Sequence, residues 1–136
     1  MHRMNDPLVI IRFDANGRVY QPGDTLSGEY HIDVARLAEI RAVEVSVLWY
    51  TEGKGDEDMA VHCFRRMSLE DDLSFDPRDP ERFSTVLPNS PLSYDGLIVK
   101  IRWCVRVRVF LARGREVVGE KAFQLGSVPA LKATTP

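Results

Sequence analysis

At 136 residues, with 44% hydrophobic and 28% charged side chains, the chain has the apolar material for one core; it is too apolar for a disordered class and too interrupted for a membrane class. A net charge of -2 lacks the cationic surplus with which duplex-binding domains displace counterions from phosphates, so no nucleic-acid partner is expected. Cys63 and Cys104 are too few for a disulfide framework and too far apart for a zinc site, and the apolar run at residues 8–11 is too short for a signal peptide, so a cytoplasmic protein with reduced thiols is expected.

Alternation of apolar and polar residues with period two, the mark of a strand that buries one face, recurs along almost the whole chain. Residues 8–13 form a first short strand, followed by a hairpin-like corner at Asp14, Ala15, Asn16 and Gly17 and a turn at Pro22, Gly23 and Asp24. In residues 25–34, Leu26, Gly28, Tyr30, Ile32 and Val34 fall on one face. Residues 34–40 are too few for a stable helix and read as a linking turn. Residues 40–51 place Val43, Val45, Val47 and Trp49 on one face and Ala42, Glu44, Ser46, Leu48 and Tyr50 on the other.

Residues 59–68 and 82–87 give two more short strands. Between them the stretch at 70–81 carries Pro77 and Pro80 and reads as a polar surface loop. Residues 97–111 are the clearest alternating segment: Leu97, Val99, Ile101, Trp103, Val105, Val107, Val109 and Leu111 share a face, and fifteen residues would make a strand about 50 Å long, so a bend or bulge is expected within it. A reversal at Ala112, Arg113 and Gly114 leads to the last strand at 117–125.

Seven alternating strands with short turns and almost no helix call for an all-β fold, an immunoglobulin-like sandwich of two antiparallel sheets. Trp49 and Trp103 are expected in the layer between the sheets. Residues 1–127 make one domain, and residues 128–136, rich in small residues, Thr and Pro, are expected to be a flexible tail.

Two segments resemble a known family. Tyr20, Pro22, Gly23, Asp24 and Gly28, in the run YQPGDTLSGEYHI, resemble the second-strand signature of the arrestin fold, seen in arrestins, in retromer Vps26 subunits and in bacterial sporulation-control proteins. Leu87, Pro88, Ser90, Pro91, Ser93, Tyr94, Gly96, Ile98 and Trp103, in LPNSPLSYDGLIVKIRWCVRVRV, resemble the segment that leads into the long strand of that fold. The resemblance implies an adaptor or scaffold that binds proteins. Arrestins carry two such domains in tandem with a polar core at their interface, and this chain has room for one, so activation by release of a docked tail is not carried over. Self-association as a homodimer is one way to replace the missing half.

Charge is uneven: residues 50–81 hold ten acids against four bases, and residues 96–121 hold seven bases against two acids, which predicts a dipolar surface if the two segments stay apart. Lys100, Arg102, Arg106 and Arg108 share one face of a strand, a stripe suited to an acidic peptide, a phosphorylated segment or an anionic headgroup, or else a solvated face paired with neighbouring acids. Leu48, Tyr50 and Phe110, opposite the core face, are expected to be exposed and to form an apolar interface patch. An unpaired edge strand would also accept a partner strand.

Glu52, Asp56, Glu57 and Asp58 lack the ligand spacing of an EF-hand and read as a solvated hairpin tip, so no metal is expected. His2, His31 and His62 show no partner spacing for a nucleophile or for zinc. With no phosphate-cradling glycine loop and no dinucleotide fingerprint, no cofactor and no catalytic residue are expected. The expected function is a non-catalytic, protein-binding adaptor. The alternatives are a module that docks on anionic membrane surfaces through the basic stripe and, third, a hydrolase with a polar pocket of convergent His, Cys or carboxylates.

Overall fold

The computed structural model describes residues 6–55, 57–72 and 74–126. The tail expected at 128–136 and Asp56 of the acidic hairpin tip lie outside the described residues. Among the described residues nine strands form two sheets: β1 (Leu8–Phe13), β2 (Val19–Tyr20), β3 (Thr25–Asp33), β4 (Ile40–Gly53), β5 (Met59–Ser68), β6 (Glu81–Val86), β7 (Tyr94–Asp95), β8 (Val99–Leu111) and β9 (Glu116–Leu125). The first sheet has the order β1-β3-β6, and the second runs β2-β9-β8-β4-β5 with β7 also paired to β8. This is an arrestin-like two-sheet sandwich. The seven expected strands are present, joined by the two-residue β2 and β7, which are too short to show a period. The pairing is antiparallel except for β2, which runs parallel to β9.

The core lies where the alternation put it. Leu26, Tyr30 and Ile32 of β3 meet Val43, Val45 and Val47 of β4 and Trp103, Val105, Val107 and Val109 of β8. Trp103 is 1% exposed, and its indole N–H donates to the Pro91 carbonyl at 2.8 Å, so the Pro-Ser-rich segment serves to satisfy a buried donor. Trp49 is only half-buried, packed against the rim of the core near the end of β4.

Gly28 is required by close approach, because a Cβ there would stand 2.2 Å from the Arg12 carbonyl oxygen and 2.8 Å from the Phe83 ring. Gly23, at φ 84°, takes the left-handed position of its turn, and the Gly23 N–H and Leu87 N–H bond to Leu87 O and Asp24 O, tying this turn to the end of β6. The linking turn is a single 3-10 turn at Leu37–Glu39.

The long strand is thirteen residues, shorter than expected. Leu97 and Ile98 are strongly exposed in the turn before it, and the Ile98 carbonyl accepts the Lys54 N–H of the adjacent hairpin. The irregularities fall on its neighbours: β4 shifts register between Ile40 and Ala42 against β8, and between Val47 and Leu48 against β5.

Candidate functional site

The stripe residues do project from one face of β8, and each meets an acid. Lys100 pairs with Asp95 at 3.2 Å, Arg102 with Glu52 at 3.5 Å, Arg106 with Glu120 at 2.7 Å, and Arg108 with Glu116 at 2.7 Å and Glu44 at 3.6 Å. Glu44, nearly buried, also holds Arg66 of β5 at 2.5 Å. The register explains the ladder: Glu44 stands opposite both Arg108 and Arg66, and Glu120 opposite Arg106. The acids of β4, β7 and β9 therefore interleave with the bases of β8, and the expected charge separation is largely cancelled on this face.

The expected apolar patch is not one surface. Leu48 is 1% exposed, seated between Cys104 and Val61 in the middle of the sheet. Tyr50 is half-buried, and burial raises its phenol pKa. Phe110 is flanked by the guanidiniums of Arg66 and Arg108, each 5.0 Å from its ring centre. Tyr50 and Phe110 are also separated by eight residue positions across the pairing, about 27 Å along the strands. Cys104 is buried beside Leu48, and desolvation pushes its thiol up to about 11.

Among the described residues, the most exposed apolar side chains on the strands of this sheet lie on β5, with Val118 of β9 and Val19 of β2 exposed to a lesser degree. Met59 is 50% exposed, Val61 49% and Phe64 56%. All three fall on the outer face, because they stand opposite Tyr50, Leu48 and Ser46 of β4. Among the described residues β5 pairs with β4 alone, so its other edge is open. The register shift leaves His62 as an extra residue, and its side chain reaches the other sheet: Nε2 lies 2.8 Å from Val86 O and 3.2 Å from Thr85 Oγ1 of β6. His62 is exposed, and it spans the gap between two edge strands.

Between β5 and β6 the sheets part to leave a cleft of about 260 Å³. Tyr30, Val45, Val47 and Phe83 line it, with Cys63 on one wall. Burial raises the Tyr30 phenol to about 12. Arg65 and Glu81 span the cleft at 3.7 Å. Among the described residues no group of three or more His, Cys, Asp or Glu side chains is placed to hold a metal ion, and no helix is long and apolar enough to cross a membrane.

The value of β5 was hidden in the sequence. Its alternation is read correctly over residues 59–68, but nothing in one strand's sequence says that it stands at the edge of its sheet. The signal that was present is the broken period, in which Met59 and Val61 share a parity with each other and Phe64 takes the opposite one, as a single inserted residue requires.

The sandwich, its strand order and the loop that caps Trp103 define a domain of arrestin-like fold. Among solved structures it is similar to Spo0M, a sporulation control protein from Bacillus subtilis, with a TM-score of 0.59, 13% identity, and coverage of 90% of this chain and 50% of that one. The chain thus spans half the length of that neighbour. Two β-glucosidase structures from Listeria innocua, one with gluconolactone and one a D270A mutant with laminaribiose, align with TM-scores of 0.38 and 0.35, identities of 14% and 15%, and 89% of this chain against 16% of theirs; overlaps this loose carry no argument. No family model and no curated protein matches the sequence.

Proposed function

We propose that this chain is a non-catalytic, cytoplasmic adaptor domain that binds protein partners through the open edge and outer face of β5. The observation that carries the reading is the trio Met59, Val61 and Phe64, three large apolar side chains about half exposed side by side on a strand with one unpaired edge. Such an edge offers backbone donors and acceptors for a partner strand, and the apolar side chains beside it supply area to desolvate. The neighbour's description as a sporulation control protein supports a regulatory use of this fold, although fold alone does not carry function.

The membrane-surface alternative is weakened by the ion pairs of Lys100, Arg102, Arg106 and Arg108, since a headgroup would have to displace a carboxylate already in place. The cleft beside β5 holds one thiol and one carboxylate, Glu81, and the latter is paired with Arg65, so no specific observation favours a hydrolase.

The test is capture from native lysate on immobilised protein, with wild type run beside Val61→Asp and Phe64→Glu. Val118→Asp, at an exposed apolar position on the outer face of β9, is the control. Proteins retained by wild type and by the control but lost from both β5 variants are expected. Equal retention by all four would overturn the reading.

A further inference from the structure

We propose that the β5 edge pairs with the β5 edge of a second copy, antiparallel about a two-fold axis between Val61 and His62, so that Asp58 faces Arg65 of the other copy and Glu57 faces Arg66. This deepens the adaptor reading by naming one occupant of the same strand and its register.

The backbone fixes which residues can take part. The Thr51 N–H donates to Asp58 O at 2.9 Å, and the Leu69 N–H donates to Arg41 O at 3.1 Å, so the odd-numbered residues of β4 direct their backbone groups toward β5. Their partners Met67, Arg65, Cys63, Ala60 and Asp58 therefore point inward. It follows that Arg66 and Phe64, on one side of the extra residue, and Met59 and Glu57, on the other, turn their N–H and C=O groups to the open edge. The inserted residue switches the outward parity from odd to even. A symmetric pairing must therefore set an odd position against an even one, and a two-fold axis within the bulge does so.

Charge selects among the registers this leaves. Residue numbers summing to 123 put Met59 against Phe64, Asp58 against Arg65 and Glu57 against Arg66, each twice by symmetry. A sum of 125 sets neither arginine against an acid, and a sum of 121 sets one, Arg65 against Asp56, where the sum of 123 sets both. Glu57 and Asp58 form no ion pair among the described residues, and the Arg65 side chain is 63% exposed with its acid 3.7 Å away; Asp58 Oδ1 accepts the Met59 N–H at 2.9 Å, a bond that pairing exchanges for Arg65 and the partner strand. The same register brings Met59 and Phe64 of the two copies together on one face, covering the exposed trio, and joins the two second sheets edge to edge.

Sedimentation velocity over a range of protein concentration tests the proposal, with circular dichroism as the check on folding. The wild type is expected to dimerise, less at high salt. Glu57→Lys with Asp58→Lys, and separately Arg65→Glu with Arg66→Glu, should each weaken self-association on the order of tenfold or more, because like charges then oppose across the axis. Mixing the two double variants should restore a dimer of one of each.

Because Arg66 also holds Glu44, a second probe leaves the charges alone. Cys63 stands opposite Ala60 of the other copy in this register, at a pair whose side chains approach closely, so Ala60→Cys should give a covalent dimer on mild oxidation that Cys63→Ser abolishes. A wild type that stays monomeric at every concentration, or a dimer indifferent to both charge reversals and not trapped by Ala60→Cys, would overturn the pairing. Neither result would alter the lysate capture, which stands or falls on its own.

Discussion

β5 and β8 belong to one sheet, flank the same strand β4, and read alike in sequence as alternating apolar segments carrying arginines. They differ in what surrounds them. β8 has strands on both sides, so its inward face is sealed and its arginines meet acids supplied by both neighbours. β5 has β4 on one side only, so its outward backbone groups and the side chains of Met59, Val61 and Phe64 remain for something else to cover. A pattern that specifies burial in the middle of a sheet specifies a binding surface at its edge.

The contrast breaks most visibly in stability. Trp103→Ala on β8 should cost about 3–5 kcal/mol in urea unfolding, since it opens a cavity and orphans the Pro91 carbonyl. Phe64→Ala on β5 should stay within about 0.5 kcal/mol, as exposed substitutions do. Similar losses at both sites would mean that β5 is not free.

Leu48→Ala sharpens the comparison on the outer face itself. Although it points away from the sandwich interior, Leu48 is covered, and its truncation should cost about 2–3 kcal/mol. Its pairing neighbour Val61, on the edge, should lose about 0.5 kcal/mol or less on truncation to Ala.

The two thiols give a chemical version of the same test. Cys63, partly exposed on β5, should react with a thiol reagent in the folded protein at pH 8, and Cys104, buried on β8, should not until the protein unfolds. The pH dependence has a definite sign. Because burial raises the folded-state pKa of Cys104 from 9.0 to about 11, its contribution is fully present below pH 9 and is lost as pH rises through about 11. Cys104→Ala should flatten that alkaline decline, and an unchanged slope would contradict the assignment.

The smallest effects belong to the ladder. Arg106→Ala or Arg108→Ala should change stability by about 0–1 kcal/mol, as half-exposed ion pairs do. Flotation with anionic vesicles should show no binding that depends on Arg102, Arg106 and Arg108. Vesicle binding lost when these become Ala would return the stripe to consideration.

How far the sequence reached follows from the same contrast. Period two identified the strands and the core side chains, because a residue's face depends only on its neighbours along the chain. The Pro-Gly-Asp turn and Gly28 were legible because turn geometry and close approach select residue type. Leu48 was misjudged because burial on the outer face depends on what stands beside it across three strands. Pairing of the stripe with neighbouring acids was anticipated, but Glu116 and Glu120 become its partners only once β9 is registered against β8. Edge position is a property of the whole sheet order, so the exposed trio on β5 could not be chosen from a single sequence.

Amide hydrogen exchange followed at increasing protein concentration, and again with any captured partner, tests most directly whether β5 is the surface the domain uses. Slowed exchange should appear at the outward N–H groups of Phe64 and Arg66, with the amides of β8 unchanged. Protection that arises on β8 or β9 and leaves β5 as it was would contradict the account.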